Sequence, residues 1–316
     1  MNGFQVFGQM LILFLLMLTG FYVYKKGIIN EISYAHISKL VVDVLNPALI
    51  LSGVLTKEVA VSRISLLYTA LLAAIMYLLL ILAAPLLNRL LKVPEKDAGI
   101  YRLMTIFANV GFIGIPVVSS VYGKGSIIYV SIFILMYNIL MYTYGIYTLT
   151  RGTSVISGDK NPFLRLVNPG VISCLLALLV LFCNLHFPPF ISGAIDYLGS
   201  AAVPLSMIIT GASLATANFK SLFLDKRLYL FSFIKLLLVP ALVIFCLSLF
   251  SLPIPDMLLG ITVFMIAMPI GSVPIMLAAE YGIDGTTCSR GVLITTLLSV
   301  LTIPAISFLF QILFTQ

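Results

Sequence analysis

Apolar residues fall along the chain in ten long blocks with short polar stretches between them: 5–24, 37–55, 64–91, 99–121, 125–149, 168–187, 191–215, 227–250, 256–280 and 286–314. Each is near or above the ~20 residues that an α-helix needs to cross a bilayer. The longest, 64–91 and 286–314, have length to spare for tilt or for entering the headgroup region. None alternates with period two, which excludes barrel strands. The pattern predicts an all-α membrane protein with ten transmembrane helices.

Two blocks contain residues that oppose a continuous helix. Block four reads Ala108-Asn109-Val110-Gly111-Phe112-Ile113-Gly114-Ile115-Pro116 and runs on to Tyr122-Gly123. Block nine reads Ala267-Met268-Pro269-Ile270-Gly271-Ser272-Val273-Pro274, followed by Tyr281-Gly282. Proline has no N–H to donate and clashes with the preceding turn, and each helical glycine costs about 1 kcal/mol against alanine. Broken backbone at membrane depth is tolerated only where protein or a water-filled cavity covers it. Freed N–H groups and half-helix N-termini suit an anion. Helices four and nine are therefore expected to break at Pro116 and Pro274 and to cross near the midplane.

The same spacing recurs between the two halves of the chain. Pro116 and Pro274 lie 158 positions apart, Gly123 and Gly282 lie 159 apart, and Pro47 and Pro204 lie 157 apart. This predicts an internal duplication: a first five-helix repeat over 1–149, a polar linker over 150–167 carrying Gly152, Gly158 and Pro162, and a second repeat over 168–316. Paired interrupted segments in two halves are the sequence pointer to a transporter's substrate site.

Charge sets the expected orientation. No Lys or Arg precedes the first apolar block, and Lys25-Lys26 follow it, the reverse of a signal peptide. Of the 18 Lys and Arg, all but Lys57, Arg63, Lys124 and Lys235 fall in alternate loops that become cytoplasmic if the N-terminus is outside. Both termini are then expected outside, and an odd number of spans per half makes the repeats inverted.

Composition agrees with a membrane protein. The chain is 61% hydrophobic and 9% charged, with mean hydropathy +1.16, where a soluble domain carries about 25% charged residues. The net charge of +7 lies in short loops, where orientation explains it without a nucleic-acid partner. Cys174, Cys183, Cys246 and Cys288 stand singly in apolar blocks with no metal spacing and read as packing residues. No cofactor or metal is expected.

Asn109 is the sharpest candidate. Its amide can donate to a carboxylate, or it can satisfy carbonyls freed by the break, and the two roles are compatible. Gly111 and Gly114 are expected at a close backbone crossing. Ser272 can donate to substrate or bond its own i−4 carbonyl. Lys235 lies about two turns inside block eight; it can snorkel to the interface, pair structurally, or attract anions. Glu280 reads as a solvated helix end or as a gate or proton carrier. Asp43 reads as an i,i+4 partner of Lys39 or as a cation or proton site. Asn138, with Tyr137, Tyr142 and Tyr144, can line a cavity or serve packing.

These motifs resemble the auxin efflux carrier family, which includes plant auxin carriers and bacterial carriers of malonate or malate type. The resemblance covers nearly the whole chain. It rests on Asn109-(x4)-Gly114-Ile115-Pro116 with Tyr122-Gly123 and on Ala267 to Pro274 with Ala279-Glu280-Tyr281; Arg290-Gly291-Val292 and Lys235-(x4)-Pro240 add to it. The resemblance implies the fold of the bile-acid sodium symporters. Helices 1, 2, 6 and 7 would form a scaffold that pairs into a homodimer, and helices 3–5 and 8–10 a unit moving by an elevator mechanism. Substrate carboxylate would sit at the crossover, among Asn109, Val110, Gly111, Gly114, Pro269, Ile270, Gly271, Ser272 and Asn138. Charge or coupling roles would fall to Lys235, Asp43 and Glu280. Plant members carry an acid where Leu67-Tyr68-Thr69 stands and a glutamine where Ile270 stands.

The expected function is a secondary transporter of a small organic anion in the plasma membrane. A sodium-coupled symporter of the same fold is the alternative within transport. An anion channel would need a continuous polar path, and an intramembrane enzyme a nucleophile or metal cluster.

Overall fold

The computed structural model describes residues 3–55, 62–150, 169–183, 185, 187–216, 225–250, 253–281 and 283–314. Among these residues it is all helix and loop, without a strand. The linker over 150–167 and Gly282 fall almost wholly outside the described residues. The helices are α1 (Gly3–Lys25), α2 (Glu31–Leu55), α3 (Arg63–Leu90), α4 (Ala98–Ile106), α5 (Val110–Tyr122) and α6 (Lys124–Thr150). They continue as α7 (Pro169–Phe182), α8 (Pro189–Thr216), α9 (Lys226–Ser248), α10 (Asp256–Ala267), α11 (Val273–Glu280) and α12 (Thr286–Phe314). Among them α2, α3, α6, α8, α9 and α12 are each long and apolar enough to cross a membrane.

Blocks four and nine are not single helices. Block four divides into α4 and α5 around Phe107–Asn109, and block nine into α10 and α11 around 268–272. The opening in block four lies upstream of Pro116, so that proline does not make it. Gly123, with φ +84, closes α5 in a backbone conformation that only glycine adopts freely.

The prolines explain a different feature. Val41–Leu45, Val110–Gly114 and Ile234–Leu238 are π-helical turns. Pro47, Pro116 and Pro240 each stand two residues beyond one of them. A helical proline lacks the i→i−4 bond, and its ring collides with the i−4 carbonyl, which here is that of Asp43, Phe112 or Leu236. Widening the turn that holds this carbonyl relieves the clash. A fourth π-turn, Met141–Gly145, has no such proline.

Contacts divide the chain into two compact units. Unit 1 comprises Met1–Thr69, Val110–Leu135 and Val167–Thr216. Within it α8 packs on α1 and α2, and α7 packs on α2. The α1–α8 contact is backbone on backbone: a Cβ on Gly20 would overlap the Ile208 carbonyl, and one on Gly211 would overlap that of Met17. Small residues that admit such approach are the usual device of helix packing in lipid. Lys124 and Asp196 form an ion pair at 2.8 Å in this unit.

Unit 2 comprises Ala70–Asn109, Met136–Leu166 and Ala217–Gln316. Here α12 packs against α4, α9, α10 and α11. The outer surface is apolar. On α3, Leu71, Leu78, Leu82 and Leu86 are all more than half exposed and recur at helical spacing along one face. A stripe of this kind is stable only against lipid or another apolar partner.

Candidate functional site

In unit 2 the two broken segments hydrogen-bond to each other. Helix α4 ends at Ile106 because Phe107 turns to φ −102, ψ 89, outside the helical region. Ala108 then forms an antiparallel bridge with Ile270. The Asn109 N–H donates to the Pro269 carbonyl at 2.7 Å, and the Gly271 N–H donates to the Phe107 carbonyl at 3.1 Å. The Ile270 N–H donates to the Thr295 hydroxyl oxygen at 3.1 Å, and that hydroxyl donates to the Gly291 carbonyl at 2.7 Å. Several N–H groups expected to be open to an anion are thus spent on joining the two breaks and anchoring them to α12. Buried backbone donors demand partners, and here they find each other.

The side chains around the bridge are fitted to it. A Cβ on Gly271 would stand 3.2 Å from the Ala108 carbonyl oxygen and 3.4 Å from the Tyr137 hydroxyl. Glycine at 271 is what lets the two backbones approach. Phe107 and Tyr137 meet edge to face, with centroids 5.3 Å apart. A Cβ on Gly291 would stand 2.8 Å from the Met104 sulfur and 3.0 Å from Ile270 Cδ1, so this glycine lets α12 close on the break.

Lys235 does not snorkel. It is 4% exposed, and its Nζ donates to the Thr105 carbonyl at 3.1 Å. In an unbroken helix that carbonyl would accept from the Asn109 N–H. Because Asn109 has turned to Pro269, Thr105 is an orphan carbonyl at the C-terminus of α4. A cation there is favoured by both the hydrogen bond and the helix dipole. Among the described residues no carboxylate pairs with Lys235. It lies in the Ile234–Leu238 π-turn, and its side chain reaches across to α4.

The remaining candidates are placed as follows. Asn109 is buried, and Asn138 is half-buried on α6. Ser272 is not in a helix, so the i−4 back-bond does not arise. It immediately precedes α11, its carbonyl accepts from the Ile275 N–H, and Pro274 occupies the first turn, where a missing N–H costs nothing. Among the described residues the Ser272 hydroxyl and the N–H groups of Ser272 and Val273 have no partner. These are the open donors at the N-terminus of α11.

Val110, Gly111, Gly114 and Pro116 lie on α5, in unit 1. A Cβ on Gly111 would meet nothing within 4 Å, so close approach is not what requires glycine there. Asp43 and Lys39 form no ion pair among the described residues. Asp43 lies in the Val41–Leu45 π-turn, whose i→i+5 bonding rotates it off the i,i+4 line from Lys39. The Glu280 side chain lies outside the described residues.

Thr295 was not among the residues picked from the sequence. A lone threonine in an apolar helix gives no signal until the break beside it is located. Among the described residues no group of His, Cys, Asp or Glu is arranged to hold a metal ion.

A helical protein with lipid-facing sides, and with two interrupted segments clasped round a buried lysine, has the build of a membrane carrier. Residues 5–307 match the model of the family described as membrane transport protein. The chain is also 28% identical over 219 residues to an uncharacterized transporter of Methanocaldococcus jannaschii, covering 66% of this chain and 69% of that one. The chain belongs to the membrane transport protein family, the auxin-efflux-carrier-like transporters. It is a multi-pass membrane transporter.

Proposed function

We propose that the chain is a secondary transporter of a small organic anion, an auxin-like monocarboxylate or a malonate- or malate-like dicarboxylate, working by an elevator form of alternating access. One observation carries this reading: a buried lysine without a carboxylate partner among the described residues, bonded to the end of a broken helix that is itself clasped to a second broken helix. A buried cation is costly unless paired, and a substrate carboxylate is the pairing that a carrier can use. Asn109, Lys235 and the open donors of Ser272 and Val273 would hold it, with Asn138 beside them.

The wider proposal is ten spans in two inverted repeats, both termini outside and a plasma-membrane location. The matched offsets of Pro47/Pro204 and Pro116/Pro274 support it. So does the Lys124–Asp196 pair, which joins the first turn of α6 to an early turn of α8, two helix starts that the ten-span topology puts on the same, outer side. Helices α1, α2, α7 and α8 group in unit 1, and α9 to α12 group in unit 2, in line with a scaffold and a moving unit. Spans four and five are shared between the units, so the partition would run through them. A homodimer through α1, α2, α7 and α8 belongs to the same proposal.

The test is uptake into proteoliposomes of labelled malonate, malate and indole-3-acetate, against a gradient of the same compound and with or without proton and sodium gradients. Uphill uptake of one of them supports a carrier. Uptake driven only by sodium favours the symporter alternative. Purely downhill flux favours a channel and overturns the reading.

A further inference from the structure

The Lys124–Asp196 ion pair of unit 1 has a counterpart in the repeat with its charges exchanged. Asp196 stands 8 residues before Pro204, and Lys39 stands 8 residues before Pro47. Lys124 lies between Tyr122-Gly123 and Gly125, and Asp284 lies between Tyr281-Gly282-Ile283 and Gly285, so the second copy carries one added residue. Lys124 opens α6 and Asp284 lies just before α12, the last span of each half. With only 9% of the chain charged, charges of opposite sign at both matched positions are improbable for unrelated loops.

In unit 1 the pair is set by backbone packing. Lys124 Nζ donates to Asp196 Oδ1 at 2.8 Å. A Cβ on Gly53 would stand 3.0 Å from the Lys124 carbonyl oxygen, and one on Gly199 would stand 2.9 Å from Leu49 Cα. Leu49 and Gly53 are one turn apart on α2, so that turn seats both the start of α6 and the stretch of α8 that carries Asp196. The counterpart residues are uncommitted. Lys39 and Asp284 are exposed, and neither forms an ion pair among the described residues. The Asp284 carboxylate accepts from the Thr286 N–H and hydroxyl through Oδ1 alone. Arg290 and Lys96 act on it from within unit 2.

We propose that Lys124–Asp196 and Lys39–Asp284 are alternating latches of the transport cycle, one closed while the other is open. The inference rests on the inverted-repeat carrier reading above. In such a carrier the two end states exchange the roles of the repeats. A contact between the start of span five and span seven in one state becomes a contact between the start of span ten and span two in the other. The ten-span topology puts the first contact on the outer face and the second on the cytoplasmic face. Because both charges are exchanged, both pairs are attractive. An exposed ion pair contributes little, which suits a latch that must open in every cycle and bias two states of similar energy without trapping either.

The experiment is oxidative cross-linking of cysteine pairs in full-length protein in proteoliposomes, with the exposed Cys183 and Cys246 replaced by serine. Lys124→Cys/Asp196→Cys and Lys39→Cys/Asp284→Cys should each form an intramolecular disulfide in part of the molecules. Lys124→Cys/Asp284→Cys, on opposite faces, should form none. Protein with all four cysteines should carry one disulfide or the other, never both. Either disulfide should stop anion uptake, and reduction should restore it. Lys39→Gln placed in the Lys124→Cys/Asp196→Cys protein should raise its cross-linked fraction about two- to fivefold, the range for an exposed ion pair. If the Lys39→Cys/Asp284→Cys protein does not fold, that increase decides by itself, and an unchanged fraction overturns the latch. An inner pair that cross-links no better than Lys124→Cys/Asp284→Cys also overturns it, and uphill uptake by the same protein then leaves the carrier reading standing. Both disulfides in one molecule, together with purely downhill flux, overturn the latch and the carrier alike.

Discussion

The Lys235 ammonium occupies the hydrogen-bonding position that the Asn109 N–H would fill in a continuous helix, 3.1 Å from the Thr105 carbonyl. The exchange links two events. Asn109 leaves the α4 ladder to bond Pro269, and a cation from α9 enters to replace it. The break therefore places a positive charge one turn from the asparagine that the sequence marks as a substrate ligand.

Replacing Lys235 separates function from stability. In Lys235→Met the Thr105 carbonyl loses its partner, at about 1–3 kcal/mol. The desolvation cost of a buried ammonium disappears at the same time. The melting temperature should move by only a few degrees while anion uptake falls more than ~tenfold. Lys235→Arg should keep part of the uptake. Proteoliposome flux and a thermal melt on the same preparations check this.

Gly271→Ala places a methyl 3.2 Å from the Ala108 carbonyl oxygen, so the bridge must give by a few tenths of an ångström. The expected cost is about 1–3 kcal/mol, with loss of uptake. Gly111→Ala, whose Cβ meets nothing within 4 Å, should cost less than about 1 kcal/mol and leave a folded protein. Thermal melts of the two variants side by side test the contrast.

Thr295→Val keeps the shape of the side chain but strands the Ile270 N–H. A buried donor without a partner costs about 1–3 kcal/mol. Thr295→Ser retains the oxygen and should recover most of that loss. A drop in melting temperature for valine, mostly restored in serine, is the expected result.

Gly20→Ala introduces a methyl where the Ile208 carbonyl already lies. Because the obstacle is backbone, no rotamer change relieves it. A loss of about 3 kcal/mol or more is expected, read as a collapse in the yield of monodisperse protein. Gly8→Ala, on the same helix with nothing within 4 Å, is the control that should express normally.

The helices were legible because lipid leaves little choice: an apolar run of span length must satisfy its own backbone, and α1, α3, α8 and α12 start and stop within two or three residues of the apolar blocks. The breaks in blocks four and nine were legible as glycine–proline clusters. The identity of the residues that open was not, because Pro116 marks the π-turn it widens rather than the gap upstream of it. Of the roles open to Lys235, snorkelling is set aside and a structural bond to Thr105 is found, and Asp43 forms no ion pair with Lys39 among the described residues, for a related reason. Both lie in π-turns, which change the direction of a side chain without leaving a trace in its spacing. Thr295 was invisible because its partner, the Ile270 N–H, becomes available only once the helix has broken.

The central claim is that the clasped breaks, with Asn109 and Lys235, hold an anion. The most direct measurement is the thermal shift of purified wild type and Asn109→Ala with malonate, malate and indole-3-acetate. At a ligand concentration about 100 times the dissociation constant, binding stabilises the folded state by about 2.7 kcal/mol. The account predicts a rise of several degrees in wild type for at least one of these anions, and none in a folded Asn109→Ala. Equal shifts in the two proteins, or no shift in wild type with any of the three, would contradict it.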